Sequence, residues 1–328
     1  MKILITGIAG GIGSTLGHRL FKLGHEIVGV DSFENGHGEN LTIDGEQFCK
    51  FYKLRTQDFL ILGLLGYERP DVVVHLAATS SLPECEQDSC KCYLNNTMLT
   101  QALLESARNN NVKKFIFASS SAVYENNNEK LLSEELIVKP MLAYPLSKKL
   151  SEDICLSYIE KYNMNVSILR FFNVFGPRQD IYRKSPPLIN YIVREMAKGN
   201  VPQLHSDGNQ SRDYISVDKV CKSILGCIEK TAVGIYNVCS GQVISVKEIY
   251  DIINKTLAFH TPAQYNKSEN LWKDYNLDLK ESTISKEVNK FSLGLNNKIQ
   301  KDLNINLSED TKSLISSTSS QIYNNYKN

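Results

Sequence analysis

Tyr144 and Lys148 stand four residues apart in the run Tyr144-Pro145-Leu146-Ser147-Lys148, which opens a stretch with helical spacing of apolar residues. At that spacing two side chains lie on one face of a helix, one above the other. A free tyrosine has a pKa of about 10, too high for a base at neutral pH. An ammonium group ~4 Å away, at an effective dielectric of ~20, contributes about 4 kcal/mol, equivalent to about three decades in the ionisation constant. The lysine, together with the positive ring of an oxidised nicotinamide, is expected to bring the phenol near working pH, as efficient proton transfer requires. Upstream, Ser119-Ser120-Ser121 closes an apolar segment and offers a hydroxyl to bridge phenol and substrate.

A base of this kind is useful where a hydride acceptor lies beside it. Thr6-Gly7-Ile8-Ala9-Gly10-Gly11-Ile12-Gly13 falls between the first apolar run and the first helical pattern. Glycines there permit a tight turn and a close approach of backbone to a pyrophosphate at the positive end of the helix. The second apolar run ends in Asp31, whose carboxylate accepts hydrogen bonds from both ribose hydroxyls and repels a 2′-phosphate. No Arg or Lys lies in Ser32–Glu34 to neutralise such a phosphate, so NAD is the expected cofactor. Gly7, Gly10, Gly11, Ile12, Gly13 and Asp31 are the residues expected to hold it.

The elements that must position these groups alternate in type. Strands are expected at Lys2–Thr6, Glu26–Asp31, Phe48–Lys53, Val72–Leu76, Lys114–Ala118 and Val166–Phe171, with helices such as Ile12–Leu23, Thr97–Asn109 and Leu146–Tyr162 between them. Near-continuous Val/Ile/Leu strands separated by helices predict an α/β fold, a doubly wound parallel sheet with ligands at the carboxyl ends of its strands. After Phe175 the texture becomes more polar and is punctuated by Gly176-Pro177, Ser185-Pro186-Pro187 and Asp207-Gly208. The expectation is a dinucleotide domain over residues 1–172, with a returning strand near Gly234–Cys239, and a smaller substrate-binding domain over 173–328. From about Gln264 onward Asn, Lys and Ser dominate and the element pattern is weak.

Composition narrows the partners. The chain has 328 residues, 42% hydrophobic and 22% charged, so it can bury a sizeable core. A formal net charge of +1 with interleaved signs gives no electrostatic footprint for nucleic acid or a membrane surface. No apolar run approaches a bilayer span, and the N-terminus lacks a secretory signal, so a cytoplasmic protein is expected. Of the eight cysteines, Cys85, Cys90 and Cys92 cluster, but no histidine lies near enough in sequence to complete a zinc set. Reduced thiols and no metal are the expectation.

The spacing Gly7-x-x-Gly10-x-x-Gly13 resembles the extended short-chain dehydrogenase/reductases. The resemblance implies that Asp58 and Phe59 adjoin the adenine, that Leu76, Ala77 and Ala78 of His75-Leu76-Ala77-Ala78 run along the cofactor, and that Asn96 and Ser119 belong to the same site. It places the catalytic hydroxyl on Ser120, with Ser121 as the other choice, beside Tyr144 and Lys148. The family usually has glycine where this chain has Glu125. Leu169–Arg178 and Asp207–Tyr214 resemble nucleotide-sugar epimerases and dehydratases, which implies substrate contacts from Ser120, Ser121, Asn173 and Arg212. A further C-terminal arginine is usual; here Lys290 is the nearest cation. Dehydratases and decarboxylases of this branch carry an acid just after the catalytic hydroxyl, where this chain has Ser121 and Ala122. The resemblance thus implies a UDP-hexose or UDP-N-acetylhexosamine 4-epimerase serving surface polysaccharide synthesis. Dimerisation through the helices at Thr97–Asn109 and Leu146–Tyr162 is implied as well. A dehydratase or reductase of the same fold, or a catalytically silent NAD-binding regulator, are the alternatives.

Overall fold

A computed structural model describes residues 1–55, 58, 60–127, 129–266, 277 and 291–327. Seven strands form the main sheet: β1 (Lys2–Thr6), β2 (Glu26–Asp31), β3 (Lys50–Lys53), β4 (Val72–His75), β5 (Lys114–Ser120), β6 (Val166–Phe171) and β7 (Gly234–Val238). Their order is β7-β6-β5-β4-β1-β2-β3, and every pairing is parallel. Both faces are buried, with period-two side chains sharing them. Ile3 and Ile5 join one apolar cluster with Leu16, Leu20 and Ile224, while Leu4 joins the other with Leu103, Phe115 and Tyr158. The strand order reverses between β1 and β4. The carboxyl ends of those strands therefore open into a crevice, where open α/β sheets bind their ligands.

Several boundaries differ from those read in the sequence. Phe48 is not part of β3; it packs against the helix Gly11–Lys22, edge-on to His18 at 4.5 Å between ring centroids. β4 stops at His75, and β5 continues to Ser120, one register step beyond Ser119↔Arg170. The helix carrying Tyr144 begins at Ala143 rather than Leu146. Pro145 fits because a first-turn residue needs no backbone donor. The helix Leu99–Asn109 follows a π-helical stretch, Leu94–Met98, and two short helices, Leu82–Gln87 and Ser89–Tyr93.

The chain beyond Phe172 serves both halves of the molecule. A three-stranded sheet of Asn173–Phe175, Ser211–Ser216 and Val243–Ser245 pairs Asn173 with Tyr214 in parallel and Arg212 with Ile244 antiparallel. Phe175, Ile192, Tyr214, Ile249 and Ile315 form a second core there. The helices Val217–Glu229 and Asn297–Leu303 return to the large sheet, adding Val220, Ile224, Ile299 and Leu303 to its first core.

Candidate active site

The glycine turn leaves no room for side chains. Gly7 has φ +74°, and a Cβ on it would stand 2.9 Å from the Ala77 nitrogen; one on Gly13 would stand 2.1 Å from the Gly7 oxygen. The helix Gly11–Lys22 thus begins directly on the turn. Its first turn carries no acidic residue and its cap makes no side-chain hydrogen bond, which leaves amide donors for an anion. At the end of β2 the Asp31 carboxylate accepts hydrogen bonds from Ala9 N (3.0 Å) and Phe33 N (2.9 Å). Burial nevertheless pushes its pKa above the ordinary carboxylate value. Turn and carboxylate border a cleft of about 930 Å³ together with Leu76, Ala77, Ala78, Asn173 and Arg212. The bare cradle, the first-turn donors and the ribose-side carboxylate fit NAD.

Ser120 is the serine beside the phenol. The Ser120 hydroxyl is near enough to the Tyr144 phenol to favour its ionised form, and Ser120 Oγ accepts from Ala122 N at 3.1 Å. Ser119 points the other way and is buried, donating to Glu152. That carboxylate is gripped by Arg170 at 2.9 and 2.7 Å, and Arg170 also donates to Tyr124 Oη at 2.9 Å. Ser121 opens the short turn Ser121–Tyr124. The Lys148 ammonium donates to Ala118 O at 2.8 Å and lies 5.0 Å from the Phe117 ring centroid. Tyr144 itself packs against Cys85, Cys92 and Ala143.

In the protein alone, burial opposes the charge effect read from the spacing. Burial pushes the Tyr144 phenol up to about 12, against the opposing effects of the Ser120 hydroxyl and the Arg183 guanidinium. Burial also lowers Lys148 to about 8. In the protein alone desolvation wins over the lysine charge, and Lys148 is not among the main influences on Tyr144. The spacing argument counted the charge and omitted the burial.

Other residues fall in places that sequence spacing could not fix. Asn96 is buried and does not border the cleft. Its amide joins Thr79 N (2.8 Å) and Thr79 O (2.9 Å) to Ser147 Oγ (2.9 Å), tying the loop after β4 to the Tyr144 helix. Asp58 caps its own loop by accepting from Arg55 N at 2.7 Å and does not border the cleft either, and Ser119, Ser120, Ser121, Tyr144 and Lys148 are likewise not among its lining residues. Phe59 and Lys290 lie outside the described residues. Asn173 borders the cleft and donates to Asp213 O at 2.7 Å. Glu125, the departure from the family glycine, is buried and accepts from Met141 N (3.0 Å) and Leu142 N (3.1 Å), holding the start of the Tyr144 helix.

Arg183, Gln179, His205 and Gln210 also border the cleft and were not anticipated. Arg183 donates to Ser185 O at 2.6 Å and reaches Ser80 Oγ at 3.5 Å. It sits in a loop without periodicity, so its only signal was a cation shortly after Gly176-Pro177. All eight cysteines are free thiols, and only Cys90 is exposed.

Fold and site together define a dinucleotide-dependent enzyme of the doubly wound class. The chain belongs to the NAD dependent epimerase/dehydratase family, whose profile matches residues 3–239, and NAD is its cofactor. It is 32% identical to the UDP-glucose 4-epimerase of Mycolicibacterium smegmatis over 256 residues, 77% of this chain and 82% of that protein. Among solved structures it is similar to the UDP-glucose 4-epimerase of Thermotoga maritima with UDP-glucose, at TM-score 0.88 and 25% identity, covering 99% of this chain and 100% of that one. The UDP-glucuronic acid 4-epimerase of Bacillus cereus, solved with UDP-glucuronic acid and NAD, has TM-score 0.84 and 25% identity, with coverage of 99% and 100%.

Proposed function

We propose that the protein interconverts 4-epimers of a UDP-linked hexose, N-acetylhexosamine or related sugar, with Tyr144 as the base at the 4-hydroxyl. The observation that carries the reading is the Ser120 hydroxyl beside the Tyr144 phenol, with Lys148 four residues along the same helix. Bound NAD supplies the hydride acceptor and donor. Ser120 orients the sugar oxygen, and Tyr144 takes and returns its proton. A phenol held near 12 cannot do this at neutral pH. The reading therefore requires positive charge against it in the working complex, from protonated Lys148 and the oxidised nicotinamide. Arg212 and Asn173, both bordering the cleft, hold the diphosphate and sugar.

The residues after the candidate hydroxyl support epimerisation over elimination: Ser121 and Ala122 follow Ser120, and neither carries an acid to move protons at a neighbouring carbon. The test is incubation with UDP-glucose, UDP-N-acetylglucosamine and UDP-glucuronate without added cofactor. Interconversion of 4-epimers with no net NADH is expected, and a Tyr144→Phe variant with full activity would remove Tyr144 from the mechanism.

The same proposal includes a cytoplasmic homodimer acting in surface polysaccharide synthesis. Among the described residues no helix is long and apolar enough to cross a membrane. Met98 and Leu150, on the helices expected to pair, are 56% and 41% exposed, and Leu94, one turn before the first of them, is 46% exposed. An apolar stripe of this kind is covered in a two-fold four-helix contact. Light scattering at micromolar protein decides between monomer and dimer.

A further inference from the structure

Arg178 is a half-buried arginine with no carboxylate and no hydrogen-bond partner among the described residues. The Cys221 thiol lies within its electrostatic reach, and burial pushes that thiol up to about 12 and so keeps it neutral. Unneutralised, the charge is felt on the neighbouring helix, where burial first and Arg178 second hold His18 below its ordinary pKa. A buried charge without a partner is costly, and structures supply a counter-charge or solvent where one persists.

The space beside Arg178 is shaped to supply one. A groove of about 600 Å³ runs between the Phe175–Arg178 loop and the C-terminal helix Thr311–Lys327. Thr15 borders it from the helix Gly11–Lys22, and Gln321, Asn324 and Asn325 border it from the C-terminal helix. Among the described residues lining the groove the one carboxylate, Asp218, is already engaged by Arg19. Its volume lies within the range of small-molecule sites, ~300–1,000 Å³. The groove is separate from the NAD cleft. A Cβ on Gly11 would stand 3.1 Å from both Arg178 O and Gln179 N, so this backbone is the wall between them, with Gln179 on the cleft side.

We propose that this groove is a second binding site, for a phosphomonoester, and that Arg178 grips its phosphate. Donors stand on two walls, a guanidinium on the loop and side-chain amides on the helix. A carboxylate has two oxygens to share between them, whereas a phosphate has three and takes a bidentate guanidinium on one edge while leaving oxygen for the amides. The rest of the groove accommodates the organic part of the ester.

The test is calorimetric titration of the full chain, saturated with NAD and UDP so that the main cleft is filled, in chloride buffer. The probes are inorganic phosphate, glucose 1-phosphate and AMP, against wild type, Arg178→Gln and Gln321→Glu. One ester bound per chain is expected, at least ~10-fold tighter than inorganic phosphate, with glucose 1-phosphate and AMP distinguishing a sugar from a nucleoside as the organic part. Arg178→Gln should weaken it at least ~10-fold. Gln321→Glu, an exposed change that puts like charge on the opposite wall, should weaken it too and keeps the test valid if Arg178→Gln fails to fold. Absence of ester binding with the cleft filled, affinity unchanged in either folded variant, or inorganic phosphate binding as tightly as both esters would each overturn the assignment.

Discussion

Gly13→Ala asks whether the glycine turn is a steric necessity. A Cβ at this position would lie 2.1 Å from Gly7 O and 2.8 Å from both Gly7 C and Ile8 Cα, all backbone atoms. To reach ordinary contact the helix start must retreat from the turn by about 1 Å. That helix is pinned from behind: Ser14 N and Ser14 Oγ bond Gly10 O at 2.9 and 2.8 Å, and Gly17 lies under the Phe48 ring. Overpacking of this kind costs about 1–3 kcal/mol, and a ~1 Å displacement of binding groups costs about a hundredfold in function. The expected result is a melting temperature lowered by several degrees and loss of NAD during gel filtration, measured by absorbance and by the rate with and without added NAD. Two controls separate the causes. Gly10→Ala meets nothing closer than 3.4 Å, so the fold should be unaffected and any loss reports what sits over the turn. Gly63→Ala, in the helix Leu60–Glu68 with nothing within 4 Å, should stabilise by up to about 1 kcal/mol. Wild-type melting and cofactor retention in Gly13→Ala would refute the steric reasoning.

Lys148 at about 8 is charged below that pH and neutral above it. A reaction needing its ammonium should decline through the alkaline range, and Lys148→Met should be slow with that limb absent; an unchanged limb in the variant assigns it elsewhere. His75 is buried between Thr6 Oγ1 (2.7 Å) and Thr100 Oγ1 (3.1 Å), and burial lowers it from 6.5 to about 3. The unfolded chain takes up this proton first, so its contribution is complete above pH 6.5 and is lost as pH falls toward 3, in total about 5 kcal/mol at about 1.4 kcal/mol per pH unit. Urea titrations of wild type and His75→Asn should diverge less below pH 6 than above it, and parallel curves refute the assignment. Glu152→Gln leaves Arg170 unpaired at 2% exposure and should cost about 3–5 kcal/mol in urea unfolding. Lys149→Ala, which removes a surface pair with Asp153, should cost under about 1 kcal/mol.

The residues that could be read from the sequence share a physical property: their signal is local. β1 and β2 are mainly apolar runs with buried middles, and the turn after β1 needs glycine at each close backbone approach. Tyr144 and Lys148 share a helical turn, so four residues of spacing placed them. Choosing among Ser119, Ser120 and Ser121 required knowing where along the Tyr144 helix each hydroxyl lands. Ser119 meets Glu152, farther along that helix, while Ser120 lies beside the phenol near its start. Arg183 reaches the cleft from a loop whose path is set by distant packing.

The C-terminal helix shows a different limit. It buries Thr311, Ile315, Thr318, Ser319 and Ile322, a regular helical face. Only two of these five are apolar, so a search for hydrophobic period sees almost nothing. Ser319 Oγ finds a partner along its own helix, donating to Ile315 O at 2.7 Å, whereas Thr311 Oγ1 is buried without one among the described residues. Burial likewise explains the failure to foresee Tyr144 at about 12. Sequence spacing specifies which charge stands near which, whereas desolvation depends on everything that closes around the pair. For Tyr144 this includes Cys85 and Cys92 from helices that no motif marked. An ionisable pair read from spacing therefore identifies the chemistry available. Its working pKa is fixed by the packing of the chain around it.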